Sequence, residues 1–92
     1  MSDELYELVV AGPTARAIGE VLPESVATAV IGFITGALIE NPQRVGRELR
    51  RELAGIFSAR RGTYRVLYQI DDTTRTVTVL RIDHRSDVYR TR

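Results

Sequence analysis

The segment that most constrains the fold of this chain is Val26–Ile39, 14 residues without a charged side chain. Pro23 and Glu24 precede it, and a proline followed by an acidic residue is typical of a helix start. Pro42 follows it and ends a helix, because the residue before a proline disfavours helical backbone. The sequence therefore predicts a helix over Glu24–Glu40 that is apolar nearly all round and must be covered nearly all round.

Patterns elsewhere in the chain predict an α+β fold. Runs that alternate apolar and polar residues favour strands, and Pro13 favours a short helix after the first strand. Besides the helix above, the predicted elements are a strand over Leu5–Ala11, a helix over Thr14–Gly19, a polar connector over 43–52, and strands over Ile56–Arg60, Thr63–Asp71 and Thr76–Asp83. Short turns between the last three strands favour an antiparallel meander. We expect a single domain over residues 1–92, in the order β-α-α-β-β-β, with two N-terminal helices packed on a small, mostly antiparallel sheet.

Several classes of protein are excluded by what the sequence lacks. There is no cysteine and one histidine, which excludes a disulfide scaffold, a thiolate metal site and a histidine cluster. The uncharged segment is shorter than the roughly 20 residues that span a bilayer, and the acidic N-terminus is unlike a signal peptide. Phosphate-binding glycine motifs and magnesium-binding carboxylate clusters are absent. We therefore expect a cytoplasmic domain without metal, cofactor or membrane contact.

Charge is divided unevenly along the chain. Residues 1–40 carry a net charge of −5 and residues 41–92 a net charge of +6, and every basic residue is arginine. Arginine presents a planar fork that binds phosphate at two points. The second half is therefore expected to meet an anion, with nucleic acid the first candidate. Two simpler explanations stay open, namely a GC-rich genome that favours arginine codons and a set of solvated surface arginines.

The residues that suit chemistry on an anion lie in and after the predicted hairpin. Arg65 lies inside a strand, so its side chain points to one side of the sheet. The neighbouring candidates, at or near strand ends, are Arg60, Arg61, Arg81, His84, Arg85, Tyr89 and Arg90. The imidazole of His84 titrates near neutral pH and suits proton transfer, although a lone histidine also serves as a surface or structural residue. Arginine, histidine and tyrosine are sufficient to cleave RNA, whose own 2′-OH attacks the adjacent phosphate.

Two ordered motifs resemble the RelE/ParE toxin superfamily, on the RelE side. The run 53–68 is similar to the pattern L-x-G-x-x-S-x-R-x-G-x-Y-R-V-x-Y, and 82–89 is similar to the ending I-x-H-R-x-x-V-Y. Leu22-Pro23 and Asn41-Pro42 also stand where family members often carry these residues. The resemblance covers nearly the whole chain and implies a RelE-like fold.

The resemblance implies a ribosome-dependent endoribonuclease that cleaves mRNA. Arg65 matches the strand arginine that holds the scissile phosphate, Arg85 a basic residue of the ending, and Tyr89 a tyrosine that stacks on a base and aids catalysis. His84 matches the histidine of a His-Arg pair, and we expect it to act as general base or acid. The residues expected to bind RNA are Arg60, Arg61, Arg81 and Arg90.

The resemblance also implies a cognate antitoxin of the RelB kind that blocks the toxin, as a heterotetramer that contacts operator DNA only through the antitoxin. An apolar helix in a small domain needs a cover, which such a partner would supply. The expected antitoxin-binding residues are Val30, Phe33, Ile34 and Ala37.

Two alternatives stay open. One is a ParE-like toxin of the same fold that binds DNA gyrase without RNA chemistry. The other is an inactive toxin remnant that serves as an antitoxin partner. The second is kept because the family's lysines on the strand before the hairpin have no counterpart in Ile56–Ser58.

Overall fold

Residues 5–50 and 55–84 are described by the computed structural model. Within these ranges the elements follow the predicted order, with two short helices and a short strand added in the middle. They are β1 (Glu7–Val10), α1 (Gly12–Glu20), α2 (Glu24–Ile34), α3 (Ala37–Glu40), α4 (Pro42–Val45), β2 (Arg47–Glu48), β3 (Ile56–Arg61), β4 (Tyr64–Asp71) and β5 (Thr76–His84). No helix in the described ranges is long and apolar enough to cross a membrane.

The long helix predicted over Glu24–Glu40 is divided in two, so that part of the prediction is wrong. α2 ends at Ile34, and Gly36 has φ −122° and ψ −97°, which is not helical backbone. The hydroxyl of Thr35 donates to the carbonyl of Ile31 at 2.6 Å. A threonine that bonds to the preceding turn, followed by glycine, weakens a helix at this point.

The connector predicted over 43–52 contains α4 and the edge strand β2. The hydroxyl of Tyr68 on β4 donates to the carbonyl of Pro42 at 2.6 Å and ties α4 to the sheet. Gly46 is required between α4 and β2, because a Cβ there would overlap the Tyr68 hydroxyl and lie 2.9 Å from the carbonyl oxygen of Ser58. These elements depend on tertiary contacts, so local patterns did not predict them.

The sheet has the order β1-β5-β4-β3-β2 among the described residues. β1 pairs in parallel with β5, and the other neighbouring strands are antiparallel. The helices cover one side of this sheet. The buried core between them is formed by Tyr6, Val30, Phe33, Ile34, Leu38, Ala59, Tyr64, Val66, Tyr68, Val77 and Val79. The α+β prediction is confirmed, and the last three strands begin and end within one residue of their predicted limits.

A β-bulge in β5 decides which side chains reach the side of the sheet that the described helices leave uncovered. Tyr68 pairs with Val79 and Leu67 pairs with Arg81, so Leu80 is an extra residue without a partner. The carbonyl of Leu80 accepts a hydrogen bond from the hydroxyl of Thr14 on α1 at 2.6 Å. Before the bulge, odd-numbered residues of β5 face the helices; after it, even-numbered residues do.

Candidate functional site

The side of the sheet away from the helices, here called the open face, collects arginines at one end. Arg60 on β3 lies directly opposite Arg65 on β4, which lies directly opposite Asp83 on β5. Residues directly opposite each other on neighbouring strands share a face and lie about 5 Å apart. Both arginines are exposed. The prediction that Arg65 points to one side of the sheet, with Arg60 close by, agrees with this register.

Arg81 joins the same group because of the bulge. It pairs with Leu67 on the open face and is exposed. Its Nε donates to Oδ1 of Asp83 at 2.8 Å. Together, Arg60, Arg65, Arg81 and Asp83 are called the basic end.

The basic end suits an anion that carries several oxygen atoms. Arg60 and Arg65 stand side by side on adjacent strands, and like charges in that position repel each other. A phosphate between such guanidinium groups relieves the repulsion and accepts paired hydrogen bonds from each fork. The arrangement therefore favours phosphate binding, without a metal ion, at this end of the sheet.

The other end of the open face is acidic. Glu7 on β1 pairs with Thr76, which pairs with Asp71 on β4, so both carboxylates lie in one row. Asp71 is six residues from Arg65, or about 20 Å along the strand. The open face is thus electrically divided, and a polyanion is attracted to one end and repelled by the other.

His84 lies on the opposite side of the sheet from Arg65, so its predicted catalytic role needs correction. It pairs with Tyr64 on the helix-covered side and is 7% exposed. The bulge places Asp83, and not His84, beside Arg65. An imidazole buried on the covered side does not reach a phosphate on the open face, and His84 is better assigned to the core.

Arg61 is also on the covered side, unlike its neighbour Arg60. It pairs with Tyr64, and its guanidinium carbon lies 4.7 Å from the centre of the Phe33 ring. This cation–π contact holds the side chain against α2. The expectation that Arg61 binds RNA together with Arg60 is therefore corrected, because alternate residues of a strand face opposite ways.

Three of the four predicted antitoxin-binding residues are core residues. Val30, Phe33 and Ile34 are 0%, 8% and 3% exposed and pack toward the sheet, whereas Ala37 is exposed. A partner on the surface would meet Ala37 and the 48% exposed Ile31 instead. The uncharged segment predicted that α2 would be buried widely, but not which side faces the sheet.

A shallow, mainly apolar cavity of about 430 Å³ lies between the start of α2 and the β3–β4 turn. Its walls include Val26, Ala29 and Tyr64, with Arg61 at one side. The Tyr64 hydroxyl donates to the carbonyl of Ala29 at 3.3 Å. This cavity is on the helix-covered side and is separate from the basic end.

The buried tyrosines are not suited to proton transfer near neutral pH. Burial raises the pKa of Tyr64, and it raises the pKa of Tyr68 to about 12, with the positive charge of Arg61 opposing both shifts. Both hydroxyls therefore stay protonated near neutral pH, and both rings belong to the buried core.

Of the remaining predicted residues, Arg85, Tyr89 and Arg90 lie outside the described ranges. Arg47 is a residue that sequence reasoning missed. It pairs with Ser58, which also pairs with Leu67, so Arg47 extends the row of Arg81 on the open face. A two-residue strand leaves no pattern in the sequence, and only pairing with β3 reveals its orientation.

Matches to known proteins cover most of this chain. A family model described as the ParE toxin of the type II toxin–antitoxin system parDE matches residues 14–89. The toxin RelG of Mycobacterium tuberculosis is 58% identical over 77 residues, covering 84% of this chain and 88% of RelG. The toxin RelE of that organism is 43% identical over 88 residues, covering 96% and 90%. A chain in the crystal structure of the M. tuberculosis toxin–antitoxin complex RelBE2 superimposes with a TM-score of 0.83 at 51% identity, covering 88% of this chain and 99% of that one.

Proposed function

Because this chain belongs to the RelE/ParE superfamily of toxins from type II toxin–antitoxin systems, we propose that it is a ribosome-dependent endoribonuclease that cleaves mRNA and inhibits translation. The observation that carries this proposal is the basic end, where Arg60, Arg65 and Arg81 share the open face of the sheet. Curated relatives named RelG and RelE favour the RNase branch of the superfamily. A cytoplasmic location, where mRNA and ribosomes are found, is part of the proposal.

The proposed reaction needs no metal ion. The 2′-oxygen attacks the adjacent phosphorus and loses its proton, a cyclic phosphate forms, and the 5′-oxygen leaves and takes up a proton. Arg65 holds the scissile phosphate, while Arg60 and Arg81 stabilise the extra negative charge of the transition state. Arg85 and Tyr89, assigned by resemblance, are proposed to supply further charge, base stacking and proton transfer. His84 is left out, because it is buried on the other side.

Arg65→Ala tests this assignment. We expect cleavage of mRNA in a purified translation system to require ribosomes and to fall about 100-fold in the variant, the usual loss for a group that stabilises transition-state charge. Arg16→Ala is the matched control, since Arg16 is an exposed arginine on α1. Equal cleavage rates for Arg65→Ala and wild type would contradict the proposal.

The proposed partner in the resting cell is a RelB-like antitoxin, assembled as a heterotetramer that meets operator DNA only through the antitoxin. A relative at 51% identity has been crystallised as a toxin–antitoxin complex. The exposed Ile31, together with the cavity beside Val26 and Ala29, gives the surface of α2 apolar positions that a partner would cover. Such a partner would stabilise the toxin by mass action.

The runner-up function is inhibition of DNA gyrase. The family model is described as a ParE toxin, and this match favours gyrase as the second target to test. Loss of supercoiling activity in a purified gyrase assay, without mRNA cleavage, would select this alternative. A third possibility is an inactive remnant, and it would show neither activity and no toxicity on expression.

A further inference from the structure

Asp83 is an acidic residue within the basic end. It lies directly opposite Arg65 and accepts a hydrogen bond from Nε of Arg81 at 2.8 Å. The Asp83 side chain is 24% exposed, whereas the Arg81 side chain is 68% exposed. The Asp83 carboxylate therefore lies close to the sheet, whereas the Arg81 guanidinium is mostly exposed to solvent.

This ion pair occupies part of the group that would bind phosphate. A two-point contact from arginine to an anion often uses Nε together with one Nη. In the free protein the Nε of Arg81 already donates to Asp83. An RNA phosphate that takes this edge of Arg81 must displace the carboxylate, and its charge is repelled by Asp83 until it does.

We propose that Asp83 is an internal competitor for RNA phosphate at the basic end. The carboxylate occupies Arg81 while the site is empty, and it gives way when a phosphate is held against Arg65 and Arg81. This inference rests on the proposed function, because it assigns the same surface to RNA. It adds a residue whose role is to weaken binding, which neither the sequence motifs nor the family match assigns.

An internal competitor makes the protein bind free RNA weakly, while RNA that another particle holds at the site can still displace it. It lowers the affinity for RNA in dilute solution, because a phosphate can bind Arg81 only after the Arg81–Asp83 hydrogen bond is broken. When RNA is held at the site by another particle, its effective concentration is high and the displacement is easily driven. Asp83 therefore restricts the enzyme to substrate that is delivered to it.

Asp83→Asn tests the proposal directly. The probe is a short fluorescent single-stranded RNA with 2′-O-methyl groups, which binds but is not cleaved, and its anisotropy is measured at several salt concentrations. We expect roughly fivefold tighter binding at low salt, the scale of one partly exposed charge. The slope of log K against log salt should steepen by at most about 0.7, because the variant presents one more net positive charge to the single strand.

Two further variants separate a competitor from a merely structural residue. Asp83→Glu keeps the charge and should restore binding to near the wild-type level. Asp71→Asn removes the same charge from the acidic end of the open face, about 20 Å away and beyond the Debye length at 0.1 M salt. At that salt concentration it should change affinity less than twofold and less than Asp83→Asn does. Thermal melts of each variant identify any loss of folding.

The outcomes distinguish this inference from the proposed function. If Arg65→Ala weakens RNA binding but Asp83→Asn binds no tighter than wild type, the competitor role is wrong and the RNA surface stands. If Arg65→Ala binds RNA as well as wild type, or if neither wild type nor Asp83→Asn binds it, the proposed surface fails and the inference fails with it.

Discussion

At the scale of the residue, identical side chains have different roles because alternate positions of a strand face opposite sides of the sheet. Arg60 is exposed on the open face, whereas Arg61 lies against the ring of Phe33 on the covered side. Tyr68 lies on the covered side of β4, opposite Phe57 and Val79, where it is fully buried and donates its hydroxyl to the carbonyl of Pro42. Position relative to the pleat therefore decides which surface each side chain reaches.

Tyr68 should control the stability of the protein at high pH. Its pKa is about 12 in the folded protein against 10.0 for the unperturbed side chain, so the folded state holds the proton more tightly than the unfolded state. The resulting stability is fully present below pH 10 and is lost as pH rises toward 12, by up to about 2 kcal/mol. The chain has no lysine or cysteine to titrate in this window.

The measurement is urea unfolding at intervals between pH 8 and pH 12. Tyr68→Phe should lower stability at pH 8 by about 1–2 kcal/mol, because the buried carbonyl of Pro42 loses its donor. It should also flatten the alkaline decline, leaving the smaller contribution of Tyr64, whose pKa is raised as well. An alkaline decline as steep in Tyr68→Phe as in wild type would contradict this account.

At the scale of the element, the bulge in β5 is what assembles the basic end. If Leu80 were paired in a regular ladder instead of bulging, the alternation that buries Val77 and Val79 would also turn Arg81 and Asp83 toward the helices. The bulge carbonyl accepts a hydrogen bond from the hydroxyl of Thr14, so α1 helps to set the orientation of the residues that follow the bulge.

Thr14→Val should weaken both the fold and the site. Loss of the hydrogen bond to the Leu80 carbonyl should cost about 1–2 kcal/mol of unfolding free energy, since Thr14 is 5% exposed and the carbonyl loses its partner. RNA affinity should fall as well, because Arg81 is no longer held in one register. Thr14→Ser keeps the hydroxyl and should retain both the stability and the RNA affinity of the wild type. If Thr14→Val bound RNA as tightly as wild type, the proposed link between the bulge and RNA binding would be wrong.

Much of this level of structure could be predicted from the sequence, for reasons that are local. Alternation in 64–70 and the Thr- and Val-rich run 76–79 specify strands, Pro13 and Pro23 mark helix starts, and Pro42 marks the end of the preceding helix. The division of the predicted long helix at Thr35-Gly36 and the two-residue strand β2 depend on contacts with distant parts of the chain. The bulge leaves only a weak pattern in the sequence, namely that the apolar positions change from odd numbers (Val77, Val79) to an even number (Ile82).

The same limits apply to the candidate site. Arg65 and Arg60 were predicted correctly to lie together, because a hairpin with a two-residue turn fixes its own register. His84 was placed wrongly, because a single bulge earlier in the strand reverses its side. Arg47 and Asp83 were not predicted as site residues, since their positions follow from pairing with other strands and not from a motif.

At the scale of the whole molecule, the sheet separates two surfaces with different chemistry. The open face carries the basic end and, at its far side, Glu7 and Asp71. The helix-covered side carries the apolar cavity beside α2 and the exposed Ile31. The arginine-rich second half and the uncharged helix of the first half, which were read from the sequence as two separate features, thus become a proposed RNA surface and a proposed partner surface on opposite sides.

The central claim is that the open face, and not the charge of the hairpin as a whole, acts on RNA. Arg60→Ala and Arg61→Ala test it most directly, because these neighbours carry the same charge and point to opposite sides. In ribosome-dependent mRNA cleavage, Arg60→Ala should lose about tenfold or more in rate. Arg61→Ala should cleave at close to the wild-type rate and lose about 0.5–1 kcal/mol of stability with its cation–π contact. Equal losses of cleavage in the two variants, or a greater loss in Arg61→Ala, would contradict the account.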